Sequence, residues 1–322
     1  MNYDIFNGDA DGIIALLQLR LAYPLSAELV TGVKRDIELL EPLTTSVTLT
    51  PQDSLTVLDI SMERNKSGLL KALKSGANVY YADHHRSGDI PLAANLEAYV
   101  DLDADTCTSL IVDKYLQARF HYWAITAAYG DNLVAKADLL SNEVGLSLSQ
   151  AKQLNELGTL INYNGYGAHI DELHFHPAAL YKALLKYTSP FDVIADVNSP
   201  FYLLKDAYRQ DMDRALTVTP FYHSQVLSLF ELADAAWARR VSGVYGNKLA
   251  NQNPDSAHGV FTENSDGSYT VSLRAPLSNK QGAGDICSQF DTGGGRAAAA
   301  GINRLSRADV TRFTQAVERY YG

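Results

Sequence analysis

Apolar segments that end in an acid alternate with segments of helical spacing through the first third of the chain, and this order constrains the fold more than any other feature. Leu55–Ile60 (LTVLDI) contains its own acid, and Asn78–Ala82 (NVYYA) is followed by Asp83. Such continuous apolar runs are typical of strands buried on both faces of a parallel sheet. The order therefore predicts βαβ units and an α/β fold. The predicted elements of this part are Tyr3–Phe6, Gly12–Ala22, Leu55–Ile60, Lys66–Lys74, Asn78–Ala82 and Thr108–Leu116.

The pattern changes further along the chain. Residues 123–187 are predicted to be mainly helical, and strands return near the C-terminus, where the letters NSDGS indicate a hairpin. We therefore expect a parallel-sheet N-terminal domain with a helical extension over residues 1–190, a helical linker over 191–235, and a smaller α+β domain over 236–322. The predicted elements of the last part are a helix at Ser224–Arg240, strands at Val241–Tyr245, Gly259–Thr262 and Ser268–Arg274, and a helix at Arg307–Tyr321.

The charge of the chain is unevenly distributed. The formal net charge is −10, yet residues 242–322 hold eight Lys or Arg and seven Asp or Glu and so contribute +1. The other residues therefore carry −11, which makes a poor surface for long nucleic acid because non-specific binding to phosphates is mostly electrostatic. The same excess of carboxylates favours divalent cations.

Several features bear on the compartment. The only cysteines are Cys107 and Cys287, far apart in sequence, so no disulfide framework is expected. The N-terminus, MNYDIFNGDADG, has acids where a signal peptide needs a basic stretch. No apolar run approaches the about 20 residues that a membrane span requires. We therefore expect a cytoplasmic protein that does not cross a membrane.

Four acidic clusters follow apolar segments. Each alone has a structural explanation, as a turn, a helix cap or a surface pair. Together they suggest one site, because ligands gather at the carboxyl ends of parallel strands. Carboxylates combined with imidazole favour Mn²⁺, and two such ions about 3.5–4 Å apart can stabilise the attacking and leaving oxygens of a phosphoryl transfer. The clusters are Asp9 with Asp11, Asp59, Asp83 with His84 and His85, and Asp131.

The motifs DADG, LDIS, DHH and GDN, in this order, resemble those of the DHH phosphoesterase superfamily. That superfamily contains RecJ-type exonucleases, nanoRNases, cyclic-dinucleotide phosphodiesterases, exopolyphosphatases and manganese pyrophosphatases. The resemblance implies roles for all of these residues in a catalytic centre. Asp9, Asp11, Asp59, His84 and Asp131 would bind metal, with Asp59 between two ions, while His85 would contact substrate phosphate and Asp83 would orient the histidines.

The first motif departs from one version of the family pattern. Many members, although not the RecJ type, carry a metal-binding histidine four residues before the first aspartate. Position 5 is Ile5 in this chain, and Asn7 stands just before the GDADG run. One metal would then be ligated differently, with Asn7 or water completing its ligands.

A second resemblance covers the C-terminal part. The run DTGGGRAAAAG, which contains Gly293, Gly294, Gly295 and Arg296, is similar to the GGGH-x-x-AAG signature of the DHH-associated domain. Arg274 resembles an arginine of that domain that binds phosphate or base. We expect the glycines to bring backbone N–H groups close to a phosphate, aided by a following helix N-terminus. Arg296 replaces the usual histidine and can still bind phosphate in a bidentate manner.

These resemblances imply a hydrolase whose two domains face each other across a substrate cleft. The leading hypothesis is a nucleotide-binding, manganese-dependent phosphodiesterase, a nuclease of the oligoribonuclease type, that cleaves short oligonucleotides or cyclic and linear dinucleotides to mononucleotides. Two Mn²⁺ ions are expected, with Mg²⁺ or Co²⁺ as substitutes. A RecJ-like single-strand exonuclease, a pyrophosphatase or polyphosphatase, and a catalytically inactive nucleotide-binding regulator remain alternatives. No long duplex is expected as partner, and a homodimer is left open.

Overall fold

The computed structural model describes residues 1–322 and contains two compact units, Met1–Lys205 and Asp206–Gly322. The sheet of the first unit has five strands, all parallel, in the order β2-β1-β3-β4-β5. Its central strands are buried on both faces, as the continuous apolar runs predict. The strands are β1 (Asn2–Phe6), β2 (Glu28–Val30), β3 (Ser54–Leu58), β4 (Asn78–Asp83) and β5 (Leu96–Val100).

Helices follow or separate these strands and then extend the first unit. α1 is buried almost completely, and α5 is buried along most of its length, because both consist mainly of apolar residues. The helices are α1 (Ala10–Ala22), α2 (Leu40–Ser46), α3 (Lys66–Lys74), α4 (Thr108–Tyr115), α5 (His121–Gly130), α6 (Val134–Glu143), α7 (Leu148–Asn164), α8 (Pro177–Leu184), α9 (Pro190–Ala195) and α10 (Pro200–Ala215), the last of which runs into the second unit.

Two glycines allow α5 and α7 to approach each other closely. A Cβ on Gly158 would lie 2.1 Å from the Thr126 carbonyl oxygen, and a Cβ on Gly130 would lie 2.8 Å from the Gly158 carbonyl oxygen. Side chains at these positions would force the helices apart, since real Cβ atoms do not approach backbone so closely. The close approach positions the end of α5, which Asp131 follows directly.

The second unit is built on a six-stranded mixed sheet in the order β10-β11-β9-β8-β7-β6. Only β7 and β8 pair in parallel. The helices cover a core that includes Phe261 and Phe313. The elements are β6 (Tyr222–His223), β7 (Leu227–Leu232), α11 (Ala236–Gln252), β8 (Ala257–Glu263), β9 (Tyr269–Arg274), α12 (Ala283–Cys287), β10 (Gly293–Gly295), β11 (Ala299–Leu305) and α13 (Val310–Tyr321).

The expected fold class is confirmed, including the hairpin between β8 and β9. Two predicted elements are wrong. The predicted helix Ser224–Arg240 contains β7, and the predicted strand Val241–Tyr245 lies within α11. The boundary between the compact units lies inside the segment 191–235, which contains β6 and β7 as well as helices. None of the helices is both long enough and apolar enough to cross a bilayer.

Candidate metal centre

Residues of the predicted site follow three neighbouring strands. β1 pairs with β3 and β3 with β4, so their carboxyl ends meet at one edge of the sheet. Asp9 and Asp59 follow β1 and β3, and His84 and His85 follow β4. One ligand atom from each of Asp59, His84 and His85 lies within 4.8 Å of the other two. The parallel order of the strands therefore brings together residues that are far apart in sequence.

Asp59 has a backbone conformation that few residues tolerate. Its φ is +58°, in the left-handed region where aspartate is more common than most other residues. The residue is 1% exposed, and its carboxylate accepts a hydrogen bond from Thr108 Oγ1 at 3.0 Å. Strained residues that their surroundings hold in place cluster at functional sites. Asp59 is held both by its backbone and by its hydroxyl partner.

His84 presents one ring nitrogen to the acids. Its Nδ1 donates to the Thr106 carbonyl oxygen at 3.0 Å, which fixes the tautomer because a carbonyl can only accept. Nε2 lies 3.5 Å from Asp59 Oδ1 and 3.9 Å from Asp11 Oδ2. Nε2 is therefore the nitrogen that faces the two carboxylates, and a metal-binding histidine likewise bonds through one nitrogen while the other donates to a carbonyl.

Asp83 and His85 form a second pair beside this group. Asp83 is fully buried, and its Oδ1 lies 2.7 Å from His85 Nδ1. Burial lowers the pKa of His85, but the hydrogen bond to Asp83 and the charges of Asp59 and Asp83 outweigh it, so the pKa is raised. The His85 side chain is 44% exposed. Its outer nitrogen is thus available to a ligand while Asp83 orients the ring.

Asp11 caps a helix that begins almost a hundred residues later. Its two carboxylate oxygens each accept a backbone N–H, from Thr108 and from Ser109, both at 2.7 Å. Cys107, the N-cap residue of α4, makes no capping bond itself, so Asp11 satisfies these donors in its place. Each oxygen keeps a second lone pair for a cation. Thr108 and Ser109 were not predicted as site residues, although they begin the predicted helix Thr108–Leu116.

Asp9 is the N-cap residue of α1. Its Oδ1 accepts the backbone N–H groups of Asp11 and Gly12 at 3.0 and 3.1 Å. A Cβ on Gly12 would lie 2.3 Å from the Asn7 carbonyl oxygen, so the turn requires glycine there. The DADG motif therefore combines a helix cap with the presentation of two carboxylates.

Lys34 is a site residue that the sequence did not reveal. Its ammonium group pairs with Oδ2 of Asp9 and lies 3.1 Å from Asn162 Oδ1 and 4.0 Å from Asp131 Oδ1. It also lies over the Tyr166 ring, 5.6 Å from the centroid. The segment GVKRD belongs to no recognised motif, and the contacts with Asp131, Asn162 and Tyr166 depend on chain that lies far away in sequence.

Asp131 is not one of the three residues whose ligand atoms lie within 4.8 Å of one another. It follows α5, and its carboxylate is directed towards Lys34. Its side chain is 10% exposed. The structure thus places the four motifs around one region, in which Lys34 lies beside Asp9 and Asp131, His84 lies beside Asp11 and Asp59, and Asp9 also contacts Asp59.

The pKa values of two acids of the centre are shifted in opposite directions. Burial, followed by the charges of Asp11 and Asp9, raises the pKa of Asp59 well above its ordinary value. Burial also acts to raise the pKa of Asp9, but the charge and hydrogen bond of Lys34 outweigh it and lower the pKa to about 2. Buried carboxylates that repel one another in this way gain from a cation between them.

The donor set fits a divalent ion of the manganese type. Carboxylate oxygens and one imidazole nitrogen converge at Asp11, Asp59 and His84. The buried Oδ2 of Asp83 and the buried Oδ1 of Asn7 have no hydrogen-bond partner, so further oxygen acceptors are close to the motifs. We therefore expect the residues at the carboxyl ends of β3 and β4 to be able to hold such an ion.

The predicted substrate residues of the second unit lie at the other end of the sequence. Arg274, at the end of β9, donates to Asn247 Oδ1 at 2.6 Å and to the carbonyl oxygens of Gly243 and Leu273 at 3.1 and 3.3 Å. These bonds hold the guanidinium group in one orientation. Arg296 is exposed and follows β10 directly.

The glycine run has a different local structure from the one expected. Gly293–Gly295 form β10, which pairs antiparallel with β11, so no helix N-terminus follows the run. The segment after the run, Ala299–Leu305, is the strand β11 and pairs with β9. Gly295 has φ +140° and requires glycine. Gly294 has no other atom within 4 Å of the position of a Cβ, so a side chain there would enter open space.

One known family model matches the C-terminal part of the chain. Residues 221–322 match the family model of the DHHA1 domain. A search of curated protein sequences found no significant match.

Solved structures resemble the whole chain at low sequence identity. RecJ from Thermus thermophilus, in complex with Mn²⁺, is 15% identical with a TM-score of 0.62, over 99% of this chain and 52% of RecJ. An exonuclease RecJ bound to manganese is 16% identical with a TM-score of 0.59, over 99% and 89% of the two chains. PggH, a pGpG-specific phosphodiesterase from Vibrio cholerae, is 13% identical with a TM-score of 0.55, over the full length of both chains. The chain thus spans about half the length of the Thermus RecJ and all of PggH.

Proposed function

We propose that this chain, which carries a DHHA1 domain at its C-terminus and shares its fold with the DHH superfamily phosphoesterases RecJ and PggH, is a manganese-dependent phosphodiesterase. Its proposed substrates are short oligonucleotides and cyclic or linear dinucleotides, which it hydrolyses to mononucleotides. Fold alone does not establish an activity, so the proposal depends on the site residues themselves.

The observation that carries the proposal is the convergence of Asp11, Asp59 and His84. Nε2 of His84 faces both carboxylates, and the tautomer is fixed from the other side of the ring. A metal-binding histidine is oriented in this way, with one nitrogen bonded to a carbonyl and the other facing the acids that would share the ion. We propose that these three residues are the principal metal ligands and that Asp9 and Asp131 complete the acidic surroundings.

When bound, a divalent ion would activate water and offset the charge that develops on a phosphoryl group. The chain's own residues would do the rest. Asp83 holds the His85 ring so that its outer nitrogen can donate to a phosphate oxygen. Thr108 and Ser109 hold Asp59 and Asp11 at fixed positions. Little reorganisation would then be needed when substrate binds.

We propose that residues 1–190 carry the catalytic centre and residues 236–322 bind the remote part of the substrate. Arg274 is oriented by three hydrogen bonds. Arg296 is exposed, and two residues before it the backbone of Gly294 faces open space. Arginine suits phosphate because its donors match two phosphate oxygens at once.

Two observations favour a short substrate. PggH, a pGpG-specific phosphodiesterase, shares the fold of this chain. The residues outside 242–322 carry a net charge of −11, which opposes binding of a long phosphate chain. A RecJ-like exonuclease remains the second candidate because RecJ has the higher TM-score.

A substrate panel with purified protein and Mn²⁺ tests the proposal. The panel contains linear and cyclic dinucleotides, a pentanucleotide, a strand of roughly twenty residues, pyrophosphate and a generic phosphodiester. We expect mononucleotides from the short substrates, and no turnover by the matched His84→Gln variant. Turnover of pyrophosphate alone would replace the proposal with a pyrophosphatase. Binding of nucleotide without turnover of any substrate would replace it with a regulator.

A further inference from the structure

Lys34 is tied to the centre through its backbone as well as through its side chain. Its N–H donates to the Gly165 carbonyl oxygen at 2.8 Å, and its carbonyl oxygen accepts from Asn7 Nδ2 at 3.3 Å. Gly165 follows α7 and Asn7 follows β1. Both backbone contacts involve segments that border the site, so the lysine is held beside the acids rather than reaching them by chance.

The ammonium group of Lys34 has the surroundings of a bound cation. It pairs with Asp9 and lies close to Asn162 Oδ1 and Asp131 Oδ1, at 3.1 and 4.0 Å. Its side chain is 24% exposed, and that of Asp9 is 4% exposed. Removing one partner from so buried a pair leaves an uncompensated charge, which is strongly destabilising. The pair is therefore expected to persist in the folded protein.

The two carboxylates of the DADG motif are not equivalent. The oxygens of Asp9 are both engaged, Oδ1 by two backbone N–H groups and Oδ2 by Lys34. Those of Asp11 accept the uncharged backbone N–H groups of Thr108 and Ser109 and face His84. A cation would find an open ligand set beside Asp11 and a site that already holds a positive charge beside Asp9.

We propose that Lys34 permanently occupies the cation position beside Asp9, so that the chain binds one divalent ion, on Asp11, Asp59 and His84, instead of two. The inference rests on the proposed metal-dependent function and revises the ion number expected from the sequence. One divalent ion together with the ammonium group supplies +3 against the −4 of the carboxylates of Asp9, Asp11, Asp59 and Asp131, a net charge of −1. The ammonium group would repel a second divalent ion placed beside Asp9, and this repulsion is strong at close range and low dielectric.

The experiment counts ions on the full chain by equilibrium dialysis against Mn²⁺ and metal analysis. Lys34→Met removes the charge and keeps the length of the side chain, while Lys34→Arg keeps the charge. Lys71→Met is the matched control, because Lys71 also pairs with a carboxylate, that of Glu41, but at an exposed place. We expect one Mn²⁺ per chain for the wild type, Lys34→Arg and Lys71→Met, and two for Lys34→Met.

Electron paramagnetic resonance of the loaded wild type gives a second readout that needs no variant. A single ion gives the spectrum of isolated Mn²⁺, whereas ions about 3.5–4 Å apart are magnetically coupled. Two ions or a coupled spectrum in the wild type would overturn the inference and leave the proposed function intact. One ion in both the wild type and Lys34→Met would show that Lys34 does not exclude the second. No bound ion in the wild type would overturn the proposed function itself.

Discussion

Thr108 donates its hydroxyl to Asp59 Oδ1 at 3.0 Å and its backbone N–H to Asp11 Oδ2 at 2.7 Å, so one residue holds two carboxylates that are 48 positions apart. A ligand that is oriented from behind binds a metal more tightly than a free one, because less freedom is lost on binding. The start of α4 therefore acts as a support for the metal centre, although no motif includes it.

We expect Thr108→Val to weaken Mn²⁺ binding by about 10- to 100-fold, since outer-shell partners typically have effects of this size. Valine keeps the shape of the side chain and the backbone N–H but loses the bond to Asp59. Thr126→Val is the control, because Thr126 is also buried and donates its hydroxyl, but to the Tyr122 carbonyl oxygen. Titration calorimetry measures the Mn²⁺ affinity of the wild type and of both variants. If Thr108→Val bound Mn²⁺ as tightly as the wild type, the hydroxyl would have no part in positioning Asp59.

Metal dependence is expected to be complete. Chelation should abolish hydrolysis, Mn²⁺ should restore it best, and Asp59→Ala or His84→Ala should be nearly inactive. Asp59→Asn separates two effects, because asparagine tolerates the φ of +58° that alanine does not. We expect Asp59→Asn to melt near the wild-type temperature while remaining inactive. Full activity in excess chelator would contradict the whole scheme.

Much of the centre follows from local sequence. Asp59 and the histidines could be placed because a buried parallel strand has a recognisable composition, and the residue after it must lie at the carboxyl edge of the sheet. The two short edge strands β2 and β5 carry no comparable apolar run, and they were not predicted.

Contacts between residues far apart in sequence could not be predicted. Lys34 reaches the site only because its loop bonds to residues near the end of α7, and no local pattern encodes that pairing. β7 was predicted as helix because its apolar letters run on into the amphipathic start of α11. Parallel pairing with β8, about thirty residues later, decides its conformation instead.

Substrate affinity is expected to depend on the glycine run. Gly294→Ala places a methyl group in open space, so it should leave the melting temperature unchanged but raise the KM for a dinucleotide if backbone there approaches phosphate. Gly295→Ala should destabilise instead, since its φ is +140° and its Cβ would lie 2.5 Å from Ala300 Cα. Unchanged KM in a folded Gly294→Ala enzyme would remove the glycines from the binding site.

Replacing either arginine with alanine should raise KM, but only one of the two replacements should lower the melting temperature. Arg274→Ala and Arg296→Ala should each raise the KM for a dinucleotide by roughly tenfold or more, because a charged hydrogen bond contributes about 1.5–3 kcal/mol. Arg274→Ala should also lower the melting temperature, since it breaks the bonds to Asn247 and Gly243. Turnover of a generic small ester should change less than KM in both. Unchanged dinucleotide affinity in both variants would contradict the assignment.

His258 should make the second unit sensitive to acid. It is 1% exposed, and neither ring nitrogen makes a well-formed hydrogen bond, although the Ser256 backbone lies beside the ring. Burial lowers its pKa to about 4. The unfolded chain therefore binds a proton that the folded chain does not between the ordinary histidine value and about pH 4, and stability falls as the pH falls through that window.

The expected loss approaches about 3 kcal/mol, at about 1.4 kcal/mol per unit of pKa. His258→Leu should remove this part of the acid sensitivity, and it should not destabilise the protein near pH 7 because it deletes two unpaired buried nitrogens. His169→Gln, at an exposed histidine, should keep the wild-type pH dependence. Calorimetric melting at about pH 7.5 and about pH 5, on either side of the ordinary histidine pKa, compares the three proteins. The same pH dependence in wild type and His258→Leu would contradict the prediction.

Substrate length gives the sharpest test between the two candidate functions. We expect oligonucleotides of roughly two to five residues to be cut faster than strands several times longer. Residues outside 242–322 carry −11, and one divalent ion offsets little of it. A long strand would extend over acidic surface with few Lys or Arg to release its counterions, whereas a short one needs only the metal centre and the arginines.

The measurement uses end-labelled dinucleotide, pentanucleotide and a strand of roughly twenty residues with Mn²⁺ at two ionic strengths. Added salt should change the rate on the dinucleotide least, because few phosphate contacts are involved. It should aid the long strand relative to the short ones by screening the repulsion from the acidic surface. A basic groove would show the opposite, with the long strand cut fastest at low salt and slowed steeply by added salt. Processive degradation of the long strand in that pattern would replace the dinucleotide assignment with a RecJ-like exonuclease.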